Sequence, residues 1–159
     1  KYADETELML QKNNMSEAER EEFLDRFSEE SDRTLVAFGI MGGIFGEGID
    51  LKNDRLIGAI VVGTGLPQIS NERTILKDYY DAENGCGFDY AFRYPGINKV
   101  LQAAGRVIRT TEDTGVILLL DERFWQREYD LLYPREWNDR KPCNIANVGK
   151  LVADFWEQI

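Results

Sequence analysis

The sequence predicts a three-layer α/β domain with a mostly parallel sheet, and three observations carry that prediction. Four short apolar runs, Leu8-Met9-Leu10, Leu35 to Ile40, Ala59 to Val62 and Val116 to Leu120, are continuous rather than alternating. Strands covered on both faces of a parallel sheet read that way. Amphipathic helical stretches alternate with these runs, the pattern of α/β folds. At 159 residues, 43% hydrophobic and 30% charged, the chain is long enough to bury a core, and residues 1–159 read as a single domain.

After the first strand, Ser16 and Glu19 form a capping-box pair opening a helix whose Phe23, Leu24 and Phe27 share one face. The second strand, 35–40, runs into a glycine-rich loop. The third, 59–62, precedes a helix capped by Ser70 or Asn71 and carrying Ile75, Leu76, Tyr79 and Tyr80 inward. Gly85-Cys86-Gly87 marks a flexible turn. Another helix is expected over about 98–109, and Val116 to Leu120 form the last core strand. The stretch holding Trp125, Tyr129, Tyr133 and Trp137 reads as structure on the domain's flank. A closing helix from near Asn144 presents Val148, Leu151, Val152, Phe155 and Ile159 at helical spacing.

Composition removes several kinds of chemistry. The chain has no histidine, so no His-based proton shuttle, triad or metal site exists. Cys86 and Cys143 are too few for a disulfide framework or zinc knuckle. They read as reduced thiols of a cytoplasmic protein. With these residues no metal site is expected, and because no apolar run approaches the roughly 18–20 residues of a membrane span, no membrane partner is expected either. The acidic start lacks signal-peptide character. It also lacks an initiating Met, which suggests a piece of something longer, truncated at its N-terminus.

The net charge of −10 argues against nucleic acid, but charge is unevenly placed. Residues 1–32 hold four basic and eleven acidic side chains, a net −7. Between Arg93 and Arg109 stand Arg93, Lys99, Arg106 and Arg109 without one acid.

In α/β folds ligands sit at the carboxyl ends of the strands, and two segments draw attention there. The first follows the second strand: glycines at 42, 43, 46 and 48, with Glu47 and Asp50 as acceptors for a ribose hydroxyl or a partner arginine. A tight turn needing glycine for geometry alone is the plainer alternative. A dinucleotide fingerprint fails, because the order is G-x-x-G-x-G. The second is Gln102-Ala103-Ala104-Gly105-Arg106-Val107-Ile108-Arg109. On a continuous helix Gln102, Arg106 and Arg109 lie at i, i+4 and i+7, sharing a narrow face with Lys99. A mid-helix Gly105 costs about 1 kcal/mol against alanine, which implies close approach by a neighbour. Guanidinium groups recognise phosphate bidentately. A solvated polar stripe is the alternative. Asp113 stands ready to brace Arg109.

Between Gly65 and Pro95, Tyr79, Tyr80, Phe88, Tyr90, Phe92 and Tyr94 are interspersed with Arg73, Lys77 and Arg93. Rings among cations stack single-stranded bases, but packing within the protein is the plainer reading. Asp78, Asp81, Glu83 and Asp89 argue against a basic groove.

Together the two segments resemble the C-terminal motor lobe of superfamily-2 helicases of the DinG/XPD type. Gly43 to Asp50, within 42–51, is similar to that family's motif V. Gln102 to Arg109, followed by Asp113 and Gly115, is similar to its motif VI. One departure stands out: Gly46 occupies a place where many relatives carry serine. The resemblance implies a RecA-like, P-loop-NTPase-type lobe without a P-loop of its own, and the sequence holds no G-x-x-x-x-G-K-[ST]. It further implies that Gln102 and Arg106 reach nucleotide phosphates and that Arg109 is an arginine finger. Glu47, Gly48 and Asp50 would contact the nucleotide or pass its state toward DNA, and Gly105 and Asp113 would support the site.

By the same resemblance, ATP and Mg2+ are bound mainly by an N-terminal RecA-like lobe of the same polypeptide, where the family's iron–sulfur cluster also belongs. Single-stranded DNA is the track, repair or replication the setting. The whole protein would act in the cytoplasm, or in the nucleus if eukaryotic. This chain by itself would be inactive. The competing reading is a non-enzymatic α/β interaction or nucleic-acid-binding module derived from such a lobe.

Overall fold

The computed structural model describes residues 4–42 and 56–159. It divides the chain into two compact units, Lys1–Asp121 and Glu122–Ile159.

In the first unit the four apolar runs are strands: β1 (Thr6–Leu10), β2 (Thr34–Phe38), β3 (Gly58–Val62) and β4 (Val116–Leu120). β1 pairs with β2 and β3 with β4, both in parallel. Leu8 faces Val36 in one register and Ile60 faces Leu118 in the other. Each pair needs a crossover connection, because parallel strands cannot be joined by a hairpin.

Helix α1 (Glu17–Asp25) supplies one of them. Its capping box forms as expected: the Glu19 N–H donates to Ser16 Oγ, and the Ser16 N–H donates to Glu19 Oε2 at 2.8 Å. The Ser16 N–H first, and then the Ser16 hydroxyl, which donates to the same oxygen at 2.9 Å, hold the Glu19 carboxyl below the usual carboxylate range. Phe23 is buried.

The strands are not covered on both faces. Val61 is 4% exposed, whereas its neighbours Ile60 and Val62 are 64% and 71% exposed. Leu8 and Leu10 of β1 and Phe38 of β2 are likewise open. Successive side chains of a strand point to opposite faces, so each of the two separate two-stranded sheets, β1–β2 and β3–β4, shows an exposed apolar face among the described residues. The continuous hydrophobicity reported correctly that both faces are apolar; only one is covered among the described residues.

Helix α2 (Asn71–Asn84) is capped by Ser70, whose Oγ accepts the Arg73 N–H. It ends at Gly85, which takes φ +72, the left-handed conformation favoured at helix ends. Here the expected orientation fails: Ile75 is 69% and Tyr79 58% exposed. Nor is Gly85-Cys86-Gly87 a loose turn. The Asp81 carboxylate accepts the Gly87 N–H at 2.8 Å and Lys77 Nζ at 2.6 Å. A Cβ on Gly87 would lie 2.0 Å from the Lys77 carbonyl oxygen. The corner is closed by contact.

From Gly87 the chain runs helically through a π-turn, Asp89–Arg93, into α3 (Tyr94–Ala104). Pro95 lies in the first turn of α3, and Gly96, Ile97, Val100 and Ala104 are its buried positions. Most of the rings in this region pack on one another. Tyr80 and Tyr90 stack at 3.9 Å, and Phe88 and Phe92 lie 5.5 Å apart.

The second unit contains two short 3-10 turns, Glu122–Trp125 and Arg135–Trp137, and two α-helices, α4 (Arg127–Asp130) and α5 (Val148–Trp156). Arg140 is its knot. Its guanidinium pairs with Asp130 and lies over the rings of Tyr133 and Trp125 at 4.8 and 5.6 Å. The Tyr133 hydroxyl donates to the Phe124 carbonyl at 2.9 Å, and burial pushes its pKa up to about 12. The closing helix starts later than expected. Asn144 Oδ1 accepts the N–H groups of Ala146 and Asn147, which makes a turn before α5. Ile159 lies beyond the helix.

Candidate nucleotide-facing site

Two glycines bring α3 against the end of β3. Gly65, at φ +68, meets Gly96: a Cβ on Gly96 would sit 2.7 Å from the Thr64 carbonyl oxygen, and one on Gly65 would sit 2.7 Å from the Gly96 carbonyl oxygen. Backbone touches backbone there, which only glycine allows. Thr64 is 1% exposed, and its hydroxyl has no hydrogen-bond partner among the described residues.

The site residues on α3 are arranged differently from the expected continuous helix. α3 ends at Ala104. The Gly105 N–H still bonds Leu101, but the N–H groups of Arg106 and Val107 bond back three residues, to Ala103 and Ala104. Such tightening closes a helix. Gln102 therefore stands exposed in the last turn, Arg106 in the closing turn, and Arg109 in the loop beyond. The i, i+4, i+7 face does not form.

Three features explain why. Gly105 is the weakest helix former of the segment. Val107 is drawn inward to 3% exposure. A Cβ on Gly115 would sit 2.3 Å from Val107 Cγ1 and 2.9 Å from the Ile57 carbonyl oxygen. Finally Asp113 Oδ2 accepts the N–H groups of Arg109 at 2.9 Å and Thr110 at 2.7 Å, donors a longer helix would have needed. Those two N–H bonds come first, followed by the Thr110 hydroxyl and the Arg109 charge; together they hold the Asp113 carboxyl below its usual range. Asp113 thus braces Arg109 through the main chain, a role its sequence position did not disclose. Gly105 is not approached by another element: among the described residues only carbonyls of its own helix lie within 4 Å of its Cβ position.

The acid-free run from Arg93 to Arg109 is partly neutralised. Arg93 pairs with Asp89 one turn earlier and lies 5.5 Å over the Phe88 ring. Arg73 is also engaged, donating from Nη1 to the Ala91 carbonyl at 2.8 Å. Arg106 and Arg109 are both half-buried. The expected acceptors Glu47, Gly48 and Asp50 lie outside the described residues. Of the glycine loop only its first residue is described. Gly42 takes φ +83 and lies against the Lys99 side chain of α3. Among the described residues no cluster of His, Cys, Asp and Glu suits a metal, and no helix is long and apolar enough to cross a membrane.

The described residues form a mixed α/β arrangement with two parallel strand pairs, and likeness to known proteins identifies its family. The model of the helicase C-terminal domain family matches residues 1–140. The chain is 32% identical over 145 residues to the ATP-dependent DNA helicase XPD of Sulfolobus acidocaldarius, covering 85% of this chain and 24% of that one. It is 27% identical over 141 residues to a regulator of telomere elongation helicase 1 homolog of Caenorhabditis briggsae, covering 82% and 14%. With the ATP-dependent DNA helicase DinG of Photobacterium profundum it shares 32% over 101 residues, covering 62% and 14%. Among solved structures an XPD helicase superposes with a TM-score of 0.61 at 23% identity, covering 78% of this chain and 22% of that one; this likeness bears on the fold. The chain belongs to the helicase C-terminal domain family and is a C-terminal lobe fragment of the DinG/XPD superfamily-2 type. It spans about a quarter or less of the length of these relatives.

Proposed function

We propose that this chain is the second motor lobe of an ATP-dependent DNA helicase and supplies arginines to a nucleotide held chiefly by another lobe of the same polypeptide. The observation that carries the reading is the loop after α3, where Asp113 holds the main chain of Arg109 by two hydrogen bonds. A finger must be positioned before charge develops, because donors fixed in advance cost no reorganisation in the transition state. Gln102 and Arg106 would hold phosphate oxygens, and their donor chemistry fits that ligand. Arg109 would neutralise charge on the transferring phosphoryl group. When bound with Mg2+, ATP supplies that group.

Glu47, Gly48 and Asp50 are assigned to nucleotide contact and to coupling with single-stranded DNA on their likeness to motif V. Hydrolysis opening and closing two lobes would drive strand translocation and unwinding, in DNA repair or replication, within the cytoplasm or a nucleus. The chain alone would be inactive, since its sequence holds no phosphate-cradling P-loop.

The acidic first segment, at −7 over residues 1–32, favours a second reading as a non-catalytic interaction module. Assaying ATP hydrolysis by the native-length polypeptide with and without single-stranded DNA separates the two. Hydrolysis that rises with DNA supports the motor; none under either condition leaves the interaction module.

A further inference from the structure

Helix α2 turns its cations toward the protein and its apolar side chains toward solvent. Arg73, Lys77 and Tyr80, at i, i+4 and i+7, are its half-buried positions. Arg73 donates to the Ala91 carbonyl, Lys77 bonds Asp81 at 2.6 Å, and Tyr80 stacks on Tyr90. On the outward side Glu72, Ile75, Tyr79 and Glu83 fall within one arc of the helix, with Ile75 69% and Tyr79 58% exposed. Asp78 borders the same face, and Leu76 is exposed beside it. A surface helix ordinarily faces the other way, and adjoining apolar side chains rimmed by polar ones mark a contact site.

Tyr79 is already held in place. Its ring meets Tyr80 edge-on at 5.2 Å, and Tyr80 is in turn stacked on Tyr90 at 3.9 Å. A tyrosine fixed before contact loses little freedom on binding, and such residues dominate the energetics of interfaces. Charge then selects the occupant. The exposed acids Glu72, Asp78 and Glu83 surround Ile75 and Tyr79, while both cations of the helix are engaged in internal contacts. Such a rim repels phosphate backbones, and a second copy would bring acid against acid. We propose that the outward face of α2 docks a basic, amphipathic protein segment. Its apolar side chains cover Ile75 and Tyr79, and its lysines or arginines meet Glu72, Asp78 and Glu83. The proposal does not depend on the roles assigned to Gln102, Arg106 and Arg109.

The probe is a labelled synthetic peptide with leucines at i, i+3, i+4 and i+7 and lysines between them, titrated into the native-length protein and followed by fluorescence anisotropy. One control peptide keeps the leucines and replaces lysine by glutamate; the other keeps the lysines and replaces leucine by serine. The lysine–leucine peptide is expected to bind about tenfold or more tightly than either control. Ile75→Ser/Tyr79→Ser and Glu72→Lys/Asp78→Lys/Glu83→Lys are each expected to weaken it by about tenfold or more. Far-UV circular dichroism should stay unchanged in both, because all five side chains are exposed. Either variant binding the peptide as tightly as wild type overturns the proposal, as does a control peptide that binds equally well. Two further results with Ile75→Ser/Tyr79→Ser also overturn it. Lost affinity for labelled single-stranded DNA would make the face part of a DNA path, and lost self-association in analytical ultracentrifugation would make it a contact between copies.

Discussion

Asp113 shows how one carboxylate decides where a helix ends. Its ionised form accepts the N–H groups of Arg109 and Thr110, and its pKa is lowered by doing so. The sign follows: the brace is fully present above the ordinary aspartate range of about 3.9 and is lost as pH falls through the lowered folded value. Amide exchange of Arg109 and Thr110 should thus show equal protection at neutral pH and at about pH 5, with protection vanishing only in stronger acid. Asp113→Asn keeps an acceptor oxygen and should retain most of that protection, whereas Asp113→Ala should lose it. Equal protection in wild type and Asp113→Ala would contradict the brace. The motif containing Asp113 was legible in the sequence. Its acceptance of main-chain donors was not, because residue type reports an acceptor without its partner.

At the scale of elements, each of the four strands among the described residues could be read from its apolar run, and the Ser16 and Ser70 caps from their local chemistry. Helix limits were harder. Periodicity carried α3 through to Arg109, but Gly105, the burial of Val107 and the Asp113 brace end it at Ala104. Those last two depend on residues well beyond the helix. Glycine roles were hidden for the same reason. Gly96 gains about 1 kcal/mol of helix propensity on becoming alanine. The new methyl, however, meets the Thr64 and Gly65 backbone at 2.7 and 3.2 Å. Overpacking of this kind costs about 1–3 kcal/mol, and an obstacle made of backbone places it at the upper end. Gly96→Ala should therefore lower stability by about 1–2 kcal/mol net. Gly105→Ala, with only its own helix nearby, should leave stability unchanged or slightly raised. Chemical denaturation of both variants would check the contrast, and equal stabilities would refute it.

Across the whole molecule, family and sheet class were visible in two motifs and four apolar runs, while the uncovered face was not. Burial of the second face depends on what packs there, which a strand's own residues do not state. Adjacent positions on β3 make the point measurable. Val61→Ala, at 4% exposure, should cost about 2 kcal/mol from lost burial and cavity formation. Val62→Lys, at 71% exposure, should change the stability of this chain by no more than about 0.5 kcal/mol. A large loss in Val62→Lys would mean that the face is covered after all.

The proposed delivery of Arg109 to the transferring phosphoryl group by the loop after α3 is tested most directly by comparing wild type with Arg109→Ala in the native-length protein. Nucleotide binding and single-strand-DNA-stimulated hydrolysis would be measured side by side. The predicted result is hydrolysis reduced by about 10³-fold or more with nucleotide binding largely kept. Hydrolysis indifferent to Arg109, or lost only in proportion to binding, would contradict it.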